Sequence, residues 1–138
     1  MSAGRTAWLI DGNNVMGSRP DGWWRDRRGA ARALAAELAD FAARRGVPVT
    51  VVFDGAPFEV EVPGEAPLEV AFAARRGRDA ADDEIARRVA GAADPAALTV
   101  VTSDAELARR VREHGAEVVP AGRFRRELDL PSEGPSQP

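Results

Sequence analysis

The chain contains no cysteine, no tyrosine and no lysine, and each absence narrows the chemistry open to it. Without cysteine, disulfide bonds, thiolate metal sites and cysteine nucleophiles are excluded. All 19 basic residues are arginine, so no lysine can act as an acid, a base or a Schiff-base former. The single histidine, His114, excludes a nuclease mechanism that needs two imidazoles in one chain. Polar chemistry must therefore come from carboxylates, hydroxyls, asparagines and arginines.

The sequence also lacks the run of roughly 20 apolar residues that a membrane helix requires. Residues 1–6 are not a basic region followed by a long apolar run, so we expect no secretory signal, no membrane association and a cytoplasmic location. The net charge of −3 argues against non-specific coating of nucleic acid. It does not exclude a nuclease, because an aspartate-rich site makes the formal charge negative until cations bind.

Strand-like and helix-like segments alternate along the chain. Apolar, β-branched runs predict strands over residues 7–10, 47–53, 98–102 and 116–119, with further candidates at 58–62 and 68–73. Helical spacing of apolar residues predicts helices over 27–45, 81–91 and 104–113, with one helical turn at 124–128. A turn and a polar loop are expected between the first strand and the first helix.

This alternation predicts an α/β fold, a three-layer α-β-α sandwich around a central, mainly parallel sheet. The length of 138 residues and the apolar content of 44% suit a single domain, which we expect to span residues 1–130. Residues 131–138 have the composition of a disordered tail. Ligands of such sheets bind outside the carboxyl ends of the strands, near a topological switch point.

Aspartates occupy the places to which that rule directs attention. Asp11, Asp54 and Asp104 each follow a predicted strand, and Asp82 and Asp83 lie near the start of a predicted helix. If the sheet is parallel, these carboxylates share one edge and repel one another unless cations bind. Oxygen ligands of this kind suit Mg²⁺ or Mn²⁺, which can activate a water for attack on a phosphodiester.

Each aspartate taken alone also has a purely structural explanation. Asp11-Gly12 and Asp54-Gly55 are common turn pairs. Ser103 and Glu106 fit a capping box, with Ser103 as the N-cap of the following helix. The co-occurrence of these acids at predicted strand ends and at one predicted helix start favours the metal site.

Four motifs occur in a fixed order along the chain. They are Asp11-Gly12-Asn13-Asn14, Val52-Phe53-Asp54-Gly55, Ala81-Asp82-Asp83-Glu84-Ile85 and Val101-Thr102-Ser103-Asp104. This series resembles the NYN domain, in particular its YacP-like branch within the PIN-like nucleases. The resemblance extends over about residues 7–124 and implies a PIN-like fold with Mg²⁺- or Mn²⁺-dependent endoribonuclease activity.

The resemblance also implies roles for individual residues. Asp11, Asp82 and Asp104 would be the core metal ligands and, with Asp54, the catalytic acids. Asp83 would be a further acid at the metal.

Two polar residues of the motifs are expected at the substrate. By the same analogy, Asn14 would help catalysis by orienting the site, and Asn14 and Ser103 would contact the phosphate. The chain departs from relatives at Asn13, where they often carry an aromatic residue. It also departs at Ala80, where they often carry a hydroxyl residue.

Arginines near the motifs are candidate RNA contacts. Arg75, Arg76 and Arg78 precede the acidic helix, and we assign them to substrate binding. A second arginine group follows Trp23 and Trp24 in the loop after the first motif. For the two tryptophans, packing on the first predicted helix is favoured over stacking on a base.

Two other aspartate-based functions fail on the residues present. A receiver domain needs a lysine after the last strand, and a haloacid-dehalogenase-type phosphatase needs a second acid two residues after the nucleophile. The remaining alternative is a catalytically weak RNA- or ribosome-binding module with the same fold. The expected partner is RNA, with ribosome-associated messenger RNA as one candidate, and the sequence leaves a homodimer open.

Overall fold

The computed structural model describes residues 7–19, 22–73 and 80–129, and five strands form one sheet within these ranges. The strands are β1 (Ala7–Asp11), β2 (Val49–Asp54), β3 (Leu68–Ala73), β4 (Leu98–Val101) and β5 (Glu117–Val119). Their order across the sheet is β3-β2-β1-β4-β5, and all four pairings are parallel.

Five helices in the described ranges cover both faces of the sheet, and residues 55–67 join β2 to β3 without a helix. The helices are α1 (Gly12–Gly17), α2 (Arg27–Arg45), α3 (Ala80–Ala90), α4 (Ala105–Glu113) and α5 (Ala121–Asp129), with short 3₁₀ turns at Trp23–Arg25 and Pro95–Ala97. No helix in the described ranges is both long enough and apolar enough to span a bilayer.

Successive residues of the central strands enter two separate hydrophobic cores. Ile10, Val51 and Val101 pack with residues of α1, α2 and α5. Their neighbours Leu9, Val52 and Val100 pack with residues of α3 and α4 on the opposite face. Such alternation follows from the two-residue period of a strand, and it explains why these strands are apolar on both sides. The predicted three-layer α/β fold is confirmed.

The boundaries of α2 agree with the prediction over residues 27–45. The Asp26 carboxylate caps the helix by accepting a hydrogen bond from the Gly29 amide at 3.0 Å. The helix ends at Gly46, whose φ of 65° is in the left-handed region that glycine adopts without steric cost. Its amide donates to the Ala42 carbonyl at 2.8 Å, which closes the last turn.

The turn predicted at Asp11-Gly12 is wrong, because residues 12–17 form α1, whereas residues 18, 19 and 22 of the predicted polar loop are not helical. Glycine and asparagine are weak helix formers, so the local sequence favours a loop. Tertiary packing overrides that preference, since α1 lies directly against β2. A Cβ added at Gly12 would lie 2.5 Å from two ring atoms of Phe53 and 3.0 Å from Val51. Only glycine permits this approach.

The last helix is longer than the single turn predicted at 124–128. Phe124 is fully buried, and its ring centroid lies 5.2 Å from Phe41 and 5.6 Å from Trp8. Arg19 joins the end of α5 to the body of the domain through an ion pair with Asp129 at 2.9 Å. These non-local contacts extend α5 to nine residues.

The two uncertain strand candidates have different outcomes. The strand at 68–73 is confirmed as β3, whereas residues 58–62 form no strand. Phe58 instead packs on Phe72, with ring centroids 5.1 Å apart, and Arg32 donates to the Glu59 carbonyl at 3.1 Å. Their alternating pattern reflects packing beside α2. The single-domain boundary at 130 stays a prediction, and the predicted tail at 131–138 lies outside the described residues.

Candidate active site at the carboxyl end of the sheet

The strand order contains a topological switch point between β1 and β4. The chain moves from β1 to β2 and β3 on one side, and β4 and β5 lie on the other side of β1. Connections therefore leave the carboxyl ends of β1 and β4 in opposite directions, which opens a crevice there. Asp11 is the last residue of β1, and Asp104 follows β4 by two intervening residues.

Asp11 is buried at this switch point, with only 4% of its surface exposed. Its Oδ2 accepts a hydrogen bond from the Thr102 hydroxyl at 2.9 Å, and its Oδ1 accepts one from the Asn14 amide at 3.4 Å. Burial raises the pKa of Asp11 to about 6, and the negative charges of Asp54 and Asp104 add to that effect. The two hydrogen bonds oppose it by stabilising the carboxylate.

Thr102 links Asp11 to the loop that carries Asp104. The Thr102 hydroxyl is buried and accepts a hydrogen bond from the Asp104 amide at 3.1 Å. Because an amide only donates, the single hydroxyl proton is left for Asp11. This arrangement fixes the position of the Asp11 carboxylate relative to the backbone at Asp104.

The predicted capping box is wrong in its cap residue. Asp104, not Ser103, is the N-cap of α4, and its Oδ1 accepts a hydrogen bond from the Leu107 amide at 2.9 Å. The Ser103 Oγ instead accepts a hydrogen bond from the Ala121 amide at the start of α5, at 2.9 Å. Glu106 forms an ion pair with Arg109 within α4. Capping therefore engages one carboxylate oxygen of Asp104 with α4, while the other accepts no hydrogen bond from the described residues.

Asn14 and Ser103 join α1 to the loop after β4. The Ser103 amide donates to the Asn14 Oδ1 at 2.7 Å, which orients the side-chain amide of Asn14. Both residues line a cavity of about 320 Å³ between α1 and the start of α5, whose lining includes none of the candidate aspartates. The Asn14 NH₂ group and the Ser103 hydroxyl proton have no acceptor among the described residues. These donors lie close to the acids, because the Asn14 backbone amide binds Asp11 and Ser103 directly precedes Asp104.

Hydrogen bonds of Asn13 and Asp54 connect the carboxyl end of β2 to α1 and α3 at the same site. The Asp54 amide donates to the Asn13 Oδ1 at 2.9 Å, and the Asp54 Oδ1 accepts a hydrogen bond from the Ala81 amide at 3.0 Å. The second bond brings the first turn of α3 to the end of β2. Asp82 is the next residue in that turn and is half-buried.

The remaining predicted site residues lie elsewhere or outside the described ranges. Asp83 forms an ion pair with Arg110 of α4 at 3.0 Å, which gives its carboxylate a structural partner. The predicted substrate-binding residues Arg75, Arg76 and Arg78 lie outside the described residues.

Two residues of the site were missed in the sequence. Thr102 has the appearance of an ordinary β-branched strand residue, and Asn13 that of an ordinary loop residue. The one signal for Thr102 is a hydroxyl at the end of an apolar run, two positions before an aspartate. Their hydrogen bonds join segments far apart in sequence, so local patterns do not reveal them.

A larger cavity lies away from these aspartates. It has a volume of about 760 Å³ and lies between α2 and residues 61–66. Charged groups around it include Arg32, Asp40 and Glu61. Since size alone does not bring reactive groups together, we place the candidate site around Asp11, at the carboxyl ends of β1 and β4.

Carboxylate oxygens are the groups of this site that could bind a divalent cation. Among the described residues, no three acidic or histidine side chains are grouped closely enough to enclose a metal ion. Asp54 and Asp104 each have one carboxylate oxygen that accepts no hydrogen bond within the described ranges. Mg²⁺ usually keeps several waters and binds proteins through one or two carboxylates. The described carboxylates therefore form no closed cage, and a cation here would be held by one or two of them, with water completing its coordination.

Comparison with known proteins decides the family. A model of the YacP-like NYN domain matches residues 8–135 of this chain. The chain belongs to the YacP-like NYN family. This assignment confirms the resemblance carried by the four motifs, and it places the chain in a PIN-like nuclease family.

Solved structures support the same assignment. A tryptophan-to-leucine mutant of Rae1 (YacP) from Bacillus subtilis is 25% identical, with a TM-score of 0.70 over 90% of this chain and 75% of that one. The Rae1 (YacP) structure without that substitution is 24% identical, with a TM-score of 0.67 over 89% of this chain and 73% of that one. The latter likeness concerns the fold alone.

Two curated relatives match part of this chain in sequence. A UPF0178 protein from Rhodopseudomonas palustris strain BisB18 is 47% identical over 83 residues, which cover 60% of this chain and 48% of the relative. The UPF0178 protein from strain BisB5 is 45% identical over 83 residues, covering 60% and 45% respectively. The matched segment thus spans about half the length of these relatives.

Proposed function

We propose that this NYN domain is a metal-dependent endoribonuclease that hydrolyses RNA phosphodiester bonds at the aspartate site. The observation that carries the proposal is Asp11, a buried carboxylate at the switch point whose pKa is raised to about 6 by burial and by neighbouring acids. Burying a carboxylate near two others is unfavourable for the folded protein alone. A bound cation would offset that cost, so the arrangement favours a functional role.

The cation would be Mg²⁺ or Mn²⁺, largely hydrated and held by one or two of the carboxylates of Asp11, Asp54 and Asp104, with Asp82 adjacent on α3. We leave Asp83 out of this group because it is paired with Arg110. When bound, the cation supplies positive charge that makes a water more acidic and stabilises negative charge developing on the phosphodiester.

The protein's own groups would position the RNA phosphate. The Asn14 NH₂ and the Ser103 hydroxyl lie close to the acids, where they can donate to phosphate oxygens. Thr102 holds Asp11 in place through its hydroxyl. Arg75, Arg76 and Arg78 remain proposed substrate contacts on the basis of their position in the sequence.

An open site favours cleavage within a strand. Asp54 and Ser103 are exposed at the carboxyl edge of the sheet, so an internal stretch of RNA can reach them without threading an end. We expect the protein to act in the cytoplasm, with ribosome-associated messenger RNA as one candidate substrate. The family to which the chain belongs supports RNA as the substrate class.

Cleavage of an unstructured RNA and of the matching DNA tests the proposal. Each would be incubated with Mn²⁺, Mg²⁺ or chelator, using the wild-type protein, Asp11→Asn and Asp94→Asn. Asp94 is a matched control because it is exposed, precedes β4 at the opposite edge of the sheet and makes no capping hydrogen bond. We expect metal-dependent cutting of RNA by the wild type and Asp94→Asn, and a loss of at least about 100-fold in Asp11→Asn. Equal cutting by Asp11→Asn would overturn the proposal.

One observation favours the second candidate, an RNA- or ribosome-binding module with little catalysis. No closed group of three acidic ligands exists among the described residues. RNA binding without cleavage under every metal condition would support this candidate over the nuclease.

A further inference from the structure

A cationic aromatic surface lies at the start of α2, apart from the aspartates. Trp24 is 55% exposed and is the only large hydrophobic side chain exposed among the described residues. Its neighbour Trp23 packs against the hydrophobic core, so the predicted packing of the two tryptophans is confirmed for Trp23 and wrong for Trp24. An exposed indole costs solvation free energy, which makes Trp24 a candidate contact for a partner.

Four arginines surround the aromatic rings of this region. Arg25 lies 5.9 Å from the Trp24 ring centroid and Arg27 lies 5.3 Å from that of Trp23. Two more lie over the ring of Phe58, Arg28 at 5.0 Å and Arg32 at 5.2 Å. We call this set the tryptophan–arginine surface; its members are Trp24, Arg25, Arg27, Arg28, Arg32 and Phe58.

None of these four arginines forms an ion pair with a carboxylate of the described residues. By contrast, eight other arginines do: Arg19, Arg44, Arg45, Arg87, Arg88, Arg109, Arg110 and Arg125. Acids also lie close to this surface: the Asp26 carboxylate caps α2, and Arg32 lines a cavity with Asp40 and Glu61. The surface is therefore a local concentration of positive charge on a protein whose net charge is −3.

The topology places this surface at the same edge of the sheet as the aspartates. β1 and β2 are parallel, so α2 must return the chain from the carboxyl edge to the amino edge. The first turn of α2, with Arg27 and Arg28, therefore lies at the carboxyl edge. Phe58 follows Asp54 by only three intervening residues. A ligand could contact both regions at once.

We propose that the tryptophan–arginine surface binds single-stranded RNA and guides the strand to the aspartate site. An unpaired base would stack on Trp24, and Arg25, Arg27, Arg28 and Arg32 would contact the phosphates. The negative aspartates repel RNA, so attraction has to come from a neighbouring surface. Stacking requires a base that is not paired, so duplex RNA should bind less well. This inference deepens the proposed function and rests on it for the fate of the bound strand.

Binding measured without cleavage tests the surface separately from the catalytic site. A fluorescein-labelled, unstructured RNA of 12 nucleotides and its duplex would be titrated by anisotropy in chelator. Proteins would be the wild type, Trp24→Phe, Trp24→Leu, Arg28→Ala and the control Arg112→Ala. Arg112 is exposed, has no ion pair among the described residues and lies on α4, which packs on the other face of the sheet.

Stacking and charge predict different results for these variants. Trp24→Leu keeps an apolar side chain without a ring and should weaken single-strand binding about tenfold, whereas Trp24→Phe should retain most of it. Arg28→Ala should lower the slope of log K against log salt by about 0.7, the value for one phosphate contact on a single strand. Arg112→Ala should match the wild type in affinity and slope.

Other results would overturn the inference. They are equal affinity for duplex and single strand, no difference between Trp24→Leu and the wild type, or equal loss in Arg112→Ala and Arg28→Ala. Competition by a poly-glutamate peptide as strong as that by RNA of equal charge would indicate an acidic protein partner instead. If Trp24→Leu binds RNA weakly but the wild type cleaves no RNA, the RNA-binding role of the tryptophan–arginine surface would be supported and the nuclease proposal contradicted.

Discussion

Asp11 is the buried acid of the site, and its proposed role requires the carboxylate to be ionised. Its side chain is 4% exposed, whereas Asp54 lies at the surface. Burial raises the pKa of Asp11 to about 6, compared with a usual value of about 3.9 for aspartate. At neutral pH the group is therefore ionised at a free-energy cost that the fold must offset.

The raised pKa predicts how stability depends on pH. Between about pH 4 and pH 6 the folded protein binds the Asp11 proton more tightly than the unfolded chain, so the free energy of unfolding falls as pH rises through this window. In urea titrations with chelator, raising the pH from 5.0 to 7.5 should destabilise the wild type by about 1–2 kcal/mol relative to Asp11→Asn. Asp94→Asn should follow the wild type. Parallel pH dependence of the wild type and Asp11→Asn would contradict this account.

Thr102 provides a second prediction at the same scale. Thr102→Val keeps the shape of the side chain but removes the donor to Asp11 and the acceptor for the Asp104 amide. We expect a loss of about 1–3 kcal/mol in unfolding free energy at pH 7.5, and a smaller loss at pH 5.0, where Asp11 is largely protonated. Thr102→Ser should restore most of the stability. Equal stability of the valine and serine variants at both pH values would show that the Thr102 hydroxyl does not stabilise ionised Asp11.

Sequence patterns identified the acids of this site but not the groups that hold them. An aspartate after an apolar run is a local signal that can be found by inspection. The partner of Asp11 is Thr102, 91 positions away, and no local pattern connects them. The same limit applies to the cap of α4, where Ser103 and Asp104 are both good N-cap residues. Ser103 is instead engaged by the start of α5.

At the scale of elements, local sequence was sufficient where helix propensity and packing agree. The bounds of α2 followed from its periodic apolar residues and from Gly46. Local sequence did not predict α1, because its Gly-Asn-Asn start is a poor helix sequence. That helix exists because Asp11 caps it and because Gly12 permits contact with β2.

Gly12→Ala tests this explanation of α1. A methyl group at this position would overlap the buried ring of Phe53, so we expect destabilisation of about 1–3 kcal/mol, measured by urea unfolding. The matched control is Gly122→Ala in α5, where a Cβ would meet no atom within 4 Å. Alanine favours a helix over glycine, so the control should be as stable as the wild type or slightly more stable. Equal effects of the two substitutions would show that α1 does not depend on close packing.

At the scale of the whole molecule, the parallel sheet determines where function can arise. The order β3-β2-β1-β4-β5 brings the ends of β1, β2 and β4 together, although they come from distant parts of the chain. The alternation of strands and helices predicted a parallel sheet, but strand order depends on contacts that no single segment encodes. The same topology places the tryptophan–arginine surface at this edge through α2.

Charge is distributed unevenly over this fold. Acids gather at the switch point, and arginines without ion pairs among the described residues gather at the start of α2. The net charge of −3 conceals both features. A bound cation would neutralise the acids at the switch point, and bound RNA would neutralise the arginines at the start of α2.

Direct binding of Mn²⁺ to the RNA-free protein tests the aspartate site most directly, because it does not require the natural RNA to be known. Calorimetric titration near pH 7.5 would compare the wild type, Asp11→Asn and Asp94→Asn. We expect saturable binding by the wild type and Asp94→Asn, weakened at least about tenfold in Asp11→Asn, a change of about 1.4 kcal/mol. Saturating Mn²⁺ should also raise the Tm of the wild type more than that of Asp11→Asn. Equal Mn²⁺ affinity in all three proteins, or no binding by any, would contradict a cation site centred on Asp11.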